Sequence, residues 1–375
     1  MGEAASARAR TAPVRGLLAP HLEGVRAYVP GKPIQELERE LGIRDAVKLA
    51  SNENPLGPSP AAVSAVREAA SGVHRYPDNH AHALRTALAR RHGVALDEIV
   101  LGAGSNEIID LLCRTFGGAH AVIGRPSFVS YALCLRLSNV AFTEVPLRGE
   151  FAWDVDALLA AVRPETRLVF IDHPNNPTGV YVPASELARW LAALPDHVVP
   201  VLDEAYVHYA DAPDFTSALA LRDRAANLVV LRTFSKAYGL AALRVGYAVA
   251  PNALAGYLER VRLPFNVGGV GQAAACAALG DAAHLERTVV LNRSERARLA
   301  TALAECGFRV APSQANFLCT LPPGNMDAAT LYDALLRRGV IVRPLGAPLE
   351  RWLRISVGLP DENTRLLDAL RDLVP

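Results

Sequence analysis

The chain has 375 residues, of which 51% are hydrophobic and 21% charged, and its formal net charge at pH 7 is +1. This near-neutral balance argues against nucleic acid or an anionic membrane as the main partner. A membrane-spanning helix needs about 18 consecutive apolar residues, and no uncharged stretch of the sequence approaches that length. Five dispersed cysteines without a CxxC motif favour reduced thiols in a cytoplasmic protein.

The first 50 residues begin with MGEAASARARTAPVR, which lacks the apolar region of a secretory signal and is typical of a polar tail. The helix-like sequence IQELERELG follows. We expect residues 1–50 to form an N-terminal arm and part of a smaller domain.

From about residue 96, short apolar runs alternate with helical patterns. The runs are EIVLGAG, HAVIGRP, AFTEVPL, RLVFIDHP, VVPVLDEAY, LVVLRTF and VGYAVA. Strand-like runs that alternate with helices predict an α/β fold, with a mainly parallel sheet covered by helices on both faces. We assign residues 51–265 to this large domain.

After about residue 266 the pattern changes. A long helical stretch, roughly 268–305, precedes the shorter strand candidates GFRVAPS, NFLCTLP, VIVRPL and WLRISVG, and DENTRLLDALRDL predicts a closing helix. Residues 266–375 are therefore predicted to form a smaller α+β domain.

Ligands of open α/β sheets bind beyond the carboxyl ends of the strands, so the polar residues that follow each apolar run are the candidates for a site. In LGAGSNEIIDLL a strand turns through glycines into a helix, whose free N–H groups suit a phosphate. Gly102 and Gly104 lack the third glycine of a dinucleotide fingerprint, since Glu107 stands there. A plain tight turn remains the alternative.

Two further runs end in polar loops. Asn176 in DHPNNPTG precedes a proline that holds it extended, so its amide is placed for a ligand, although an ordinary turn would have the same composition. Asp203 ends the run VVPVLD, where a buried carboxylate needs a cation or several donors, or else caps a local turn. Tyr206 follows three residues later.

The stretch LRTFSKAYGLAALRVGY places Lys236 after a strand and among small residues. Partial burial lowers the pKa of a lysine and makes its amine a nucleophile toward carbonyls. Arg244 and the hydroxyls of Thr233 and Ser235 suit an anion. A phosphate cup, a nucleophilic amine, a carboxylate and a phenol together match pyridoxal 5′-phosphate, whose ring nitrogen pairs with a protein carboxylate.

These motifs resemble the fold-type I pyridoxal-phosphate aminotransferases, and most closely the histidinol-phosphate aminotransferase family. The matching segments are SNENPLGPSP, RYPDN, GAGSNE, HPNNPTG, DEAYVHY, TFSKAYGLAALRVGY and WLRISVG. The resemblance implies a seven-stranded sheet and transfer of the amino group of L-histidinol phosphate to 2-oxoglutarate, in histidine biosynthesis.

The resemblance also implies residue roles. Lys236 would be the Schiff-base lysine and shuttle a proton between substrate Cα and cofactor C4′, while Asp203 would hold the ring nitrogen. Tyr206 and Asn176 would contact the ring oxygen, and Phe128 would stack on the ring, where many relatives carry tyrosine. The phosphate would be held by Ser105, Asn106, Ser235 and Arg244.

The family's subunit arrangement implies that Tyr76 reaches the phosphate of the neighbouring subunit in a homodimer with shared active sites. For the substrate, the resemblance implies that Arg354 clamps the carboxylate of the amino acid or oxo acid. It also implies that Arg343 and Arg354 both hold the phosphate of histidinol phosphate, and that Tyr28 joins them from the N-terminal arm. Arg343 as a surface charge on an edge strand and Tyr28 as a packing residue stay open.

Other functions fit the residues less well. His74, His80 and His82 are not part of an Asp/Glu/His cluster at ligand spacing, and HRYPDNHAH is more typical of a polar loop that enters a helix, so we expect no metal. An aromatic amino-acid aminotransferase and a phosphothreonine-type decarboxylase remain alternatives on the same scaffold. A cofactor-sensing regulator would need a basic DNA-binding pattern that the first 50 residues lack, and a nicotinamide dehydrogenase would leave Lys236 unexplained.

Overall fold

The structure is a computed structural model that describes residues 17–25, 27 and 30–374. Thirteen strands are described in this part of the chain: β1 Val47–Lys48, β2 Ile99–Gly102, β3 His120–Arg125, β4 Ala141–Pro146, β5 Thr166–Asp172, β6 Val199–Asp203, β7 Val229–Thr233, β8 Gly246–Val249, β9 Arg309–Val310, β10 Phe317–Leu321, β11 Val340–Ile341, β12 Arg343–Pro344 and β13 Leu353–Ser356.

Twelve α-helices accompany these strands in the same described residues. They are α1 Ile34–Leu41, α2 Pro60–Ala70, α3 His82–His92, α4 Ser105–Thr115, α5 Val129–Leu137, α6 Val155–Ala160, α7 Ala184–Ala193, α8 Asn252–Val261, α9 Gly269–Gly280, α10 Ala282–Glu305, α11 Ala328–Arg337 and α12 Pro360–Leu373.

Seven strands form one sheet in the order β2-β8-β7-β6-β5-β3-β4. Strand β8 runs antiparallel to β2 and β7, and the other neighbours are parallel. Each of the seven apolar runs seen in the sequence contributes one of these strands, so the predicted mainly parallel α/β sheet is confirmed. The strands form because continuous β-branched and apolar residues can be buried on both faces of a parallel sheet.

Helices cover this sheet on both sides. Apolar residues of α4 and α5 pack on one face in a cluster that includes Ile108, Leu112 and Tyr131. The other face carries a cluster around Trp190 of α7 and a third around Tyr247 of β8. This packing holds the strands in place, and with them the polar residues at the strand ends.

The smaller sheet is antiparallel, in the order β12-β13-β10-β9, and packs against α10, α11 and α12 through a separate apolar cluster that includes Leu318, Ile355 and Leu366. The predicted run VIVRPL divides between two sheets, because β11 pairs with β1 and β12 pairs with β13.

The helical stretch predicted over about 268–305 is two helices. The side chain of Asp281 accepts the backbone N–H of His284 at 3.0 Å and so caps the start of α10. Helix α9 packs beside α2 and α3, and its alanines join the cluster around Tyr247. The domain boundaries at residues 50/51 and 265/266 stay a prediction.

Candidate active site

A cavity of about 290 Å³ lies where the carboxyl ends of β5, β6 and β7 meet the start of α4 and the small antiparallel sheet. It brings together most of the side chains predicted from the sequence. They are Ser105, Asn106, Phe128, Asn176, Asp203, Tyr206, Thr233, Ser235, Lys236, Arg244, Arg343 and Arg354. Residues scattered over about 250 positions of the chain therefore share one space.

Lys236 is one of three lysines in the chain. The other two are ion-paired, Lys32 with Glu36 and Glu40, and Lys48 with Glu53. The Lys236 amine donates to the carbonyl oxygen of Ser51 at 3.0 Å. Burial lowers the pKa of Lys236 to about 8, and the positive charge of Arg354 adds to that effect. Near neutral pH a fraction of this amine is unprotonated and can act as a nucleophile or base.

Asp203 ends strand β6 and is 3% exposed. Its carboxylate accepts the hydroxyl of Tyr131 at 3.1 Å and the backbone N–H of Ala205 at 3.1 Å. Burial raises the pKa of Asp203 to about 6, because the charged form loses its hydration. A cationic group in the cavity would reverse that rise, so the carboxylate is suited to hold a protonated ring nitrogen.

The start of α4 and the loop after β7 together form a candidate anion site. Gly104, with φ 81°, precedes the first turn of the helix and leaves the space beside it to Arg244, whose guanidinium a Cβ would strike. Arg244 Nη1 donates to Ser235 Oγ at 3.3 Å. The helix terminus supplies N–H groups and a positive dipole end, while Arg244 and Ser235 supply a charge and a hydroxyl, which together match a phosphate.

Thr233 supports the loop beside this candidate anion site. Its hydroxyl oxygen accepts the backbone N–H of Ser235 at 3.1 Å, and its hydroxyl donates to the carbonyl of Val245 at 3.5 Å. Thr233 therefore shapes the loop that carries Ser235 and Lys236.

Tyr206, Asn176 and Arg354 form a hydrogen-bonded chain in the cavity. Arg354 Nη1 donates to Asn176 Oδ1 at 2.6 Å, and Asn176 Nδ2 donates to the Tyr206 hydroxyl oxygen at 3.3 Å. Arg354 Nη2 donates to the carbonyl of Ala50 at 2.8 Å. The guanidinium is therefore held in a fixed orientation.

Arg343 and Arg354 stand directly opposite each other on the antiparallel strands β12 and β13. Two guanidinium groups brought together in this way suit an anionic ligand, because each can donate paired hydrogen bonds to a carboxylate or phosphate. Both residues also line a second, larger cavity of about 680 Å³, which shares Phe128 and Asn176 with the first. The pair is therefore placed to bind an anionic substrate.

Three residues of the site were missed by the sequence reasoning. Asp172 lies beside Asp203 in the β5–β6 register, and its carboxylate accepts the backbone N–H groups of Phe128 and Asn176 at 3.1 and 2.8 Å. The Tyr131 hydroxyl donates a hydrogen bond to the Asp203 carboxylate. Asn52 donates to Tyr206. Each had a signal in the sequence: Asp172 is a carboxylate at the end of another apolar run, Tyr131 follows Phe128 by one helical turn, and Asn52 is an asparagine of the segment SNENPLGPSP.

One predicted residue that the structure describes does not line the cavity. Tyr76 is 83% exposed and stacks on Phe265, with ring centroids 4.7 Å apart. Tyr28 lies outside the described residues.

The described residues contain neither a metal-binding cluster nor a membrane-spanning helix. No group of three or more His, Cys, Asp or Glu side chains there is arranged to hold a metal ion. None of the described helices has both the length and the apolar character needed to cross a membrane.

The comparisons with known proteins extend the similarity to most of the chain. The family model for aminotransferase class I and II matches residues 44–370. The chain belongs to this aminotransferase family. Histidinol-phosphate aminotransferase of Anaeromyxobacter sp. is 49% identical over 94% of this chain and 98% of its own length. Histidinol-phosphate aminotransferase 2 of Methylococcus capsulatus is 47% identical over 96% and 99%.

A solved aminotransferase has the same fold. The crystal structure of histidinol-phosphate aminotransferase from Sinorhizobium meliloti, in complex with pyridoxal 5′-phosphate, matches with a TM-score of 0.85 and 30% identity, over 99% of this chain and 100% of that chain. The mainly parallel seven-stranded sheet of this chain is thus the sheet of a fold-type I aminotransferase.

Proposed function

We propose that the chain is a pyridoxal-phosphate-dependent histidinol-phosphate aminotransferase of histidine biosynthesis. It would transfer the amino group of L-histidinol phosphate to 2-oxoglutarate, giving imidazole-acetol phosphate and L-glutamate. The observation that carries the proposal is that the amine of Lys236 and the carboxylate of Asp203 line one cavity together with an anion-binding helix terminus. The identities of 44–49% to aminotransferases of this name over nearly whole chains support the substrate.

The residues present fit the cofactor. Ser105, Asn106, Ser235 and Arg244 would hold its phosphate, and Asp203 its ring nitrogen. Phe128 would cover the ring face, while Asn176 and Tyr206 would contact the ring oxygen. When bound, the cofactor supplies an electron sink that stabilises negative charge at the substrate Cα.

Lys236 would act as the base at the substrate Cα. Its pKa of about 8 leaves a usable neutral fraction near pH 7, and general base catalysis by a positioned amine contributes roughly 10²–10⁴-fold. The hydrogen bond to the Ser51 carbonyl holds the amine at the cavity wall.

Arg354 and Arg343 would hold the anionic groups of both substrates. A carboxylate and a phosphate each accept paired hydrogen bonds from a guanidinium, so one site can receive the amino donor and then the oxo acid. Tyr28, in the N-terminal arm, is proposed to assist them.

The amino donor is tested by steady-state kinetics. We expect kcat/KM with L-histidinol phosphate to exceed that with phenylalanine by at least about tenfold, because a phosphate gains charge-assisted bonds from arginine that an aromatic ring cannot make. Higher efficiency with phenylalanine would instead identify an aromatic amino-acid aminotransferase. Release of carbon dioxide from threonine phosphate would identify a decarboxylase.

We propose that the working form is a cytoplasmic homodimer in which Tyr76 of one subunit completes the cavity of the other. The exposure of Tyr76 and its stacking on Phe265, itself 41% exposed, support a covered surface here, since exposed aromatic pairs are typical of interfaces.

Subunit complementation tests the shared site. Lys236→Ala and Tyr76→Ala homodimers are each expected to be weakly active. Mixed dimers would contain one cavity with both native residues, so unfolding and refolding the two variants together should restore activity. If sites are not shared, the mixture keeps the sum of the separate activities.

A further inference from the structure

Strand β13 directs two side chains toward the hydroxyl of Tyr206, because residues two apart on a strand share a face. The first is Arg354, which reaches Tyr206 through Asn176 as described above. The second is Ser356, whose Oγ donates to Asn52 Oδ1 at 2.9 Å. Asn52 Nδ2 then donates to the Tyr206 hydroxyl oxygen at 3.0 Å. Two amides therefore connect one strand to one hydroxyl.

The chemistry of the partners fixes the orientation of both amides. A guanidinium can only donate, so Asn176 must face Arg354 with its oxygen. Ser356 Oγ accepts the backbone N–H of Asn52 at 2.8 Å, which turns the serine hydrogen to Asn52 Oδ1. In each case the NH₂ group is left to face Tyr206.

The backbone of Asn52 is held as firmly as its side chain. Its φ of 55° lies in the left-handed region, which asparagine adopts more readily than most residues. Its carbonyl accepts Asn316 Nδ2 at 3.0 Å, and the residue is 1% exposed. The amide is therefore aimed at Tyr206 without freedom to turn away.

A hydroxyl oxygen that accepts two hydrogen bonds has used its acceptor sites, so its own proton must donate to a third group. Tyr206 lines the cavity, and that donor can serve a ligand oxygen there. Burial raises the pKa of Tyr206 to about 12, and the hydrogen bond from Asn52 opposes this rise. Asn52 thus also makes Tyr206 a better donor.

We propose that Asn52, oriented by Ser356, is a positioning residue that fixes the Tyr206 hydroxyl as a donor to the ring oxygen of the bound cofactor. This inference rests on the proposed function, which assigns Tyr206 to that oxygen. It adds a second hydrogen-bonded connection to Tyr206, which runs from Ser356 on the small sheet through Asn52 in the segment before α2. This connection does not involve Arg354.

The test is the pH titration of the visible absorbance of the holoprotein, together with the dissociation constant of pyridoxal 5′-phosphate. Asn52→Gly keeps the positive φ and removes the amide without adding charge. A weaker Tyr206 donor stabilises the ionised ring oxygen less, so we expect the titration midpoint to rise by about half a pH unit. Cofactor affinity should fall about three- to tenfold, as for one lost hydrogen bond. Ser356→Ala should change both in the same direction by less.

A double-mutant cycle with Tyr206→Phe separates positioning from packing. Once the hydroxyl is absent, Asn52→Gly should change neither the midpoint nor the affinity further. Asn54→Gly is the matched control: Asn54 lies in the same segment and donates to the Ala237 carbonyl and to Thr288, not to Tyr206, so its midpoint should equal that of the wild type.

Each outcome decides the inference. Equal effects of Asn52→Gly with and without the Tyr206 hydroxyl, or an unmoved midpoint, would overturn it. If Asn52→Gly fails to fold, as judged by thermal unfolding of the apoprotein, Ser356→Ala in the same cycle carries the test. A wild-type protein that gains no visible band with pyridoxal 5′-phosphate would contradict the proposed function instead.

Discussion

The two sheets present their charged site residues in different ways. At the edge of the seven-stranded sheet, Asp203 is buried, and burial shifts the pKa values of Asp203 and Lys236 toward neutrality. On the four-stranded sheet, Arg343 and Arg354 are half-buried and face each other across β12 and β13. In the first region burial favours the neutral forms of Asp203 and Lys236, whereas the second region places two arginine charges side by side.

The difference matches two tasks. A base or nucleophile must be able to lose its proton near neutral pH, which burial provides. A residue that binds carboxylate or phosphate must keep its charge, which arginine does. The two regions meet through side-chain hydrogen bonds, from Arg354 to Asn176 and from Ser356 to Asn52. Because the two tasks belong to different side chains, we expect substitutions of the buried groups to change mainly turnover and substitutions of the two arginines to change mainly substrate affinity.

Removal of the Lys236 amine should give the largest effect. We expect Lys236→Ala to lower turnover at least about 10³-fold, because no other group can replace a positioned amine, and to abolish the visible absorbance of the cofactor. Lys48→Ala is the control, since it removes an ion-paired lysine near the cavity. A Lys236→Ala protein that keeps both turnover and absorbance would rule out the assignment.

Neutralising Asp203 should rank second. Asp203→Asn keeps the size of the side chain but removes the charge that we propose faces the ring nitrogen, so we expect kcat to fall about 10²-fold or more, with weaker cofactor binding. The control is Asp214→Asn, because Asp214 also accepts a tyrosine hydroxyl, from Tyr181, but lies outside the cavity. Similar losses in both variants would contradict a role of Asp203 at the ring.

The depressed pKa of Lys236 should be visible in the stability of the apoprotein. The unfolded chain holds this proton up to about pH 10.5 and the folded chain only to about pH 8, so the wild-type free energy of unfolding rises with pH between these values. Lys236→Met lacks this dependence. We expect it to be more stable by up to about 3 kcal/mol below pH 8, and this pH-dependent gain to disappear above pH 10.5.

Urea unfolding of both apoproteins from pH 7 to 11 measures this difference, and subtracting one from the other cancels the other titrating groups. A difference that stays constant over that range would mean that burial does not depress the Lys236 pKa.

Substitutions of Arg354 and Arg343 should have the smallest effect on activity. Arg354→Lys keeps the charge but loses the fork that bonds Asn176 and the Ala50 carbonyl, so we expect KM for 2-oxoglutarate to rise about tenfold with a smaller change in kcat. Arg343→Lys, on the facing strand, serves as the comparison and should raise KM less. Loss of the visible absorbance in Arg354→Lys would show that the two regions are not separable.

Much of this organisation was readable in the chain. The seven apolar runs became the seven strands of the large sheet, because β-branched residues bounded by turn residues leave few alternatives to a buried strand. The polar residues that follow those runs lie close together, because the carboxyl ends of parallel strands lie along the same side of a sheet. Lys236 and Asp203 were predicted as site residues for this reason, and Arg244 as a cation eight residues after Lys236.

The sequence by itself therefore determined the large sheet and the chemical groups at its edge, since both depend on local pattern. The tertiary structure decided how those groups are held. Asn52 reaches Tyr206 across 154 positions and Ser356 across 304, and Tyr131 reaches Asp203 across 72. Such bonds depend on how separate elements pack against one another, and no spacing along the chain encodes them.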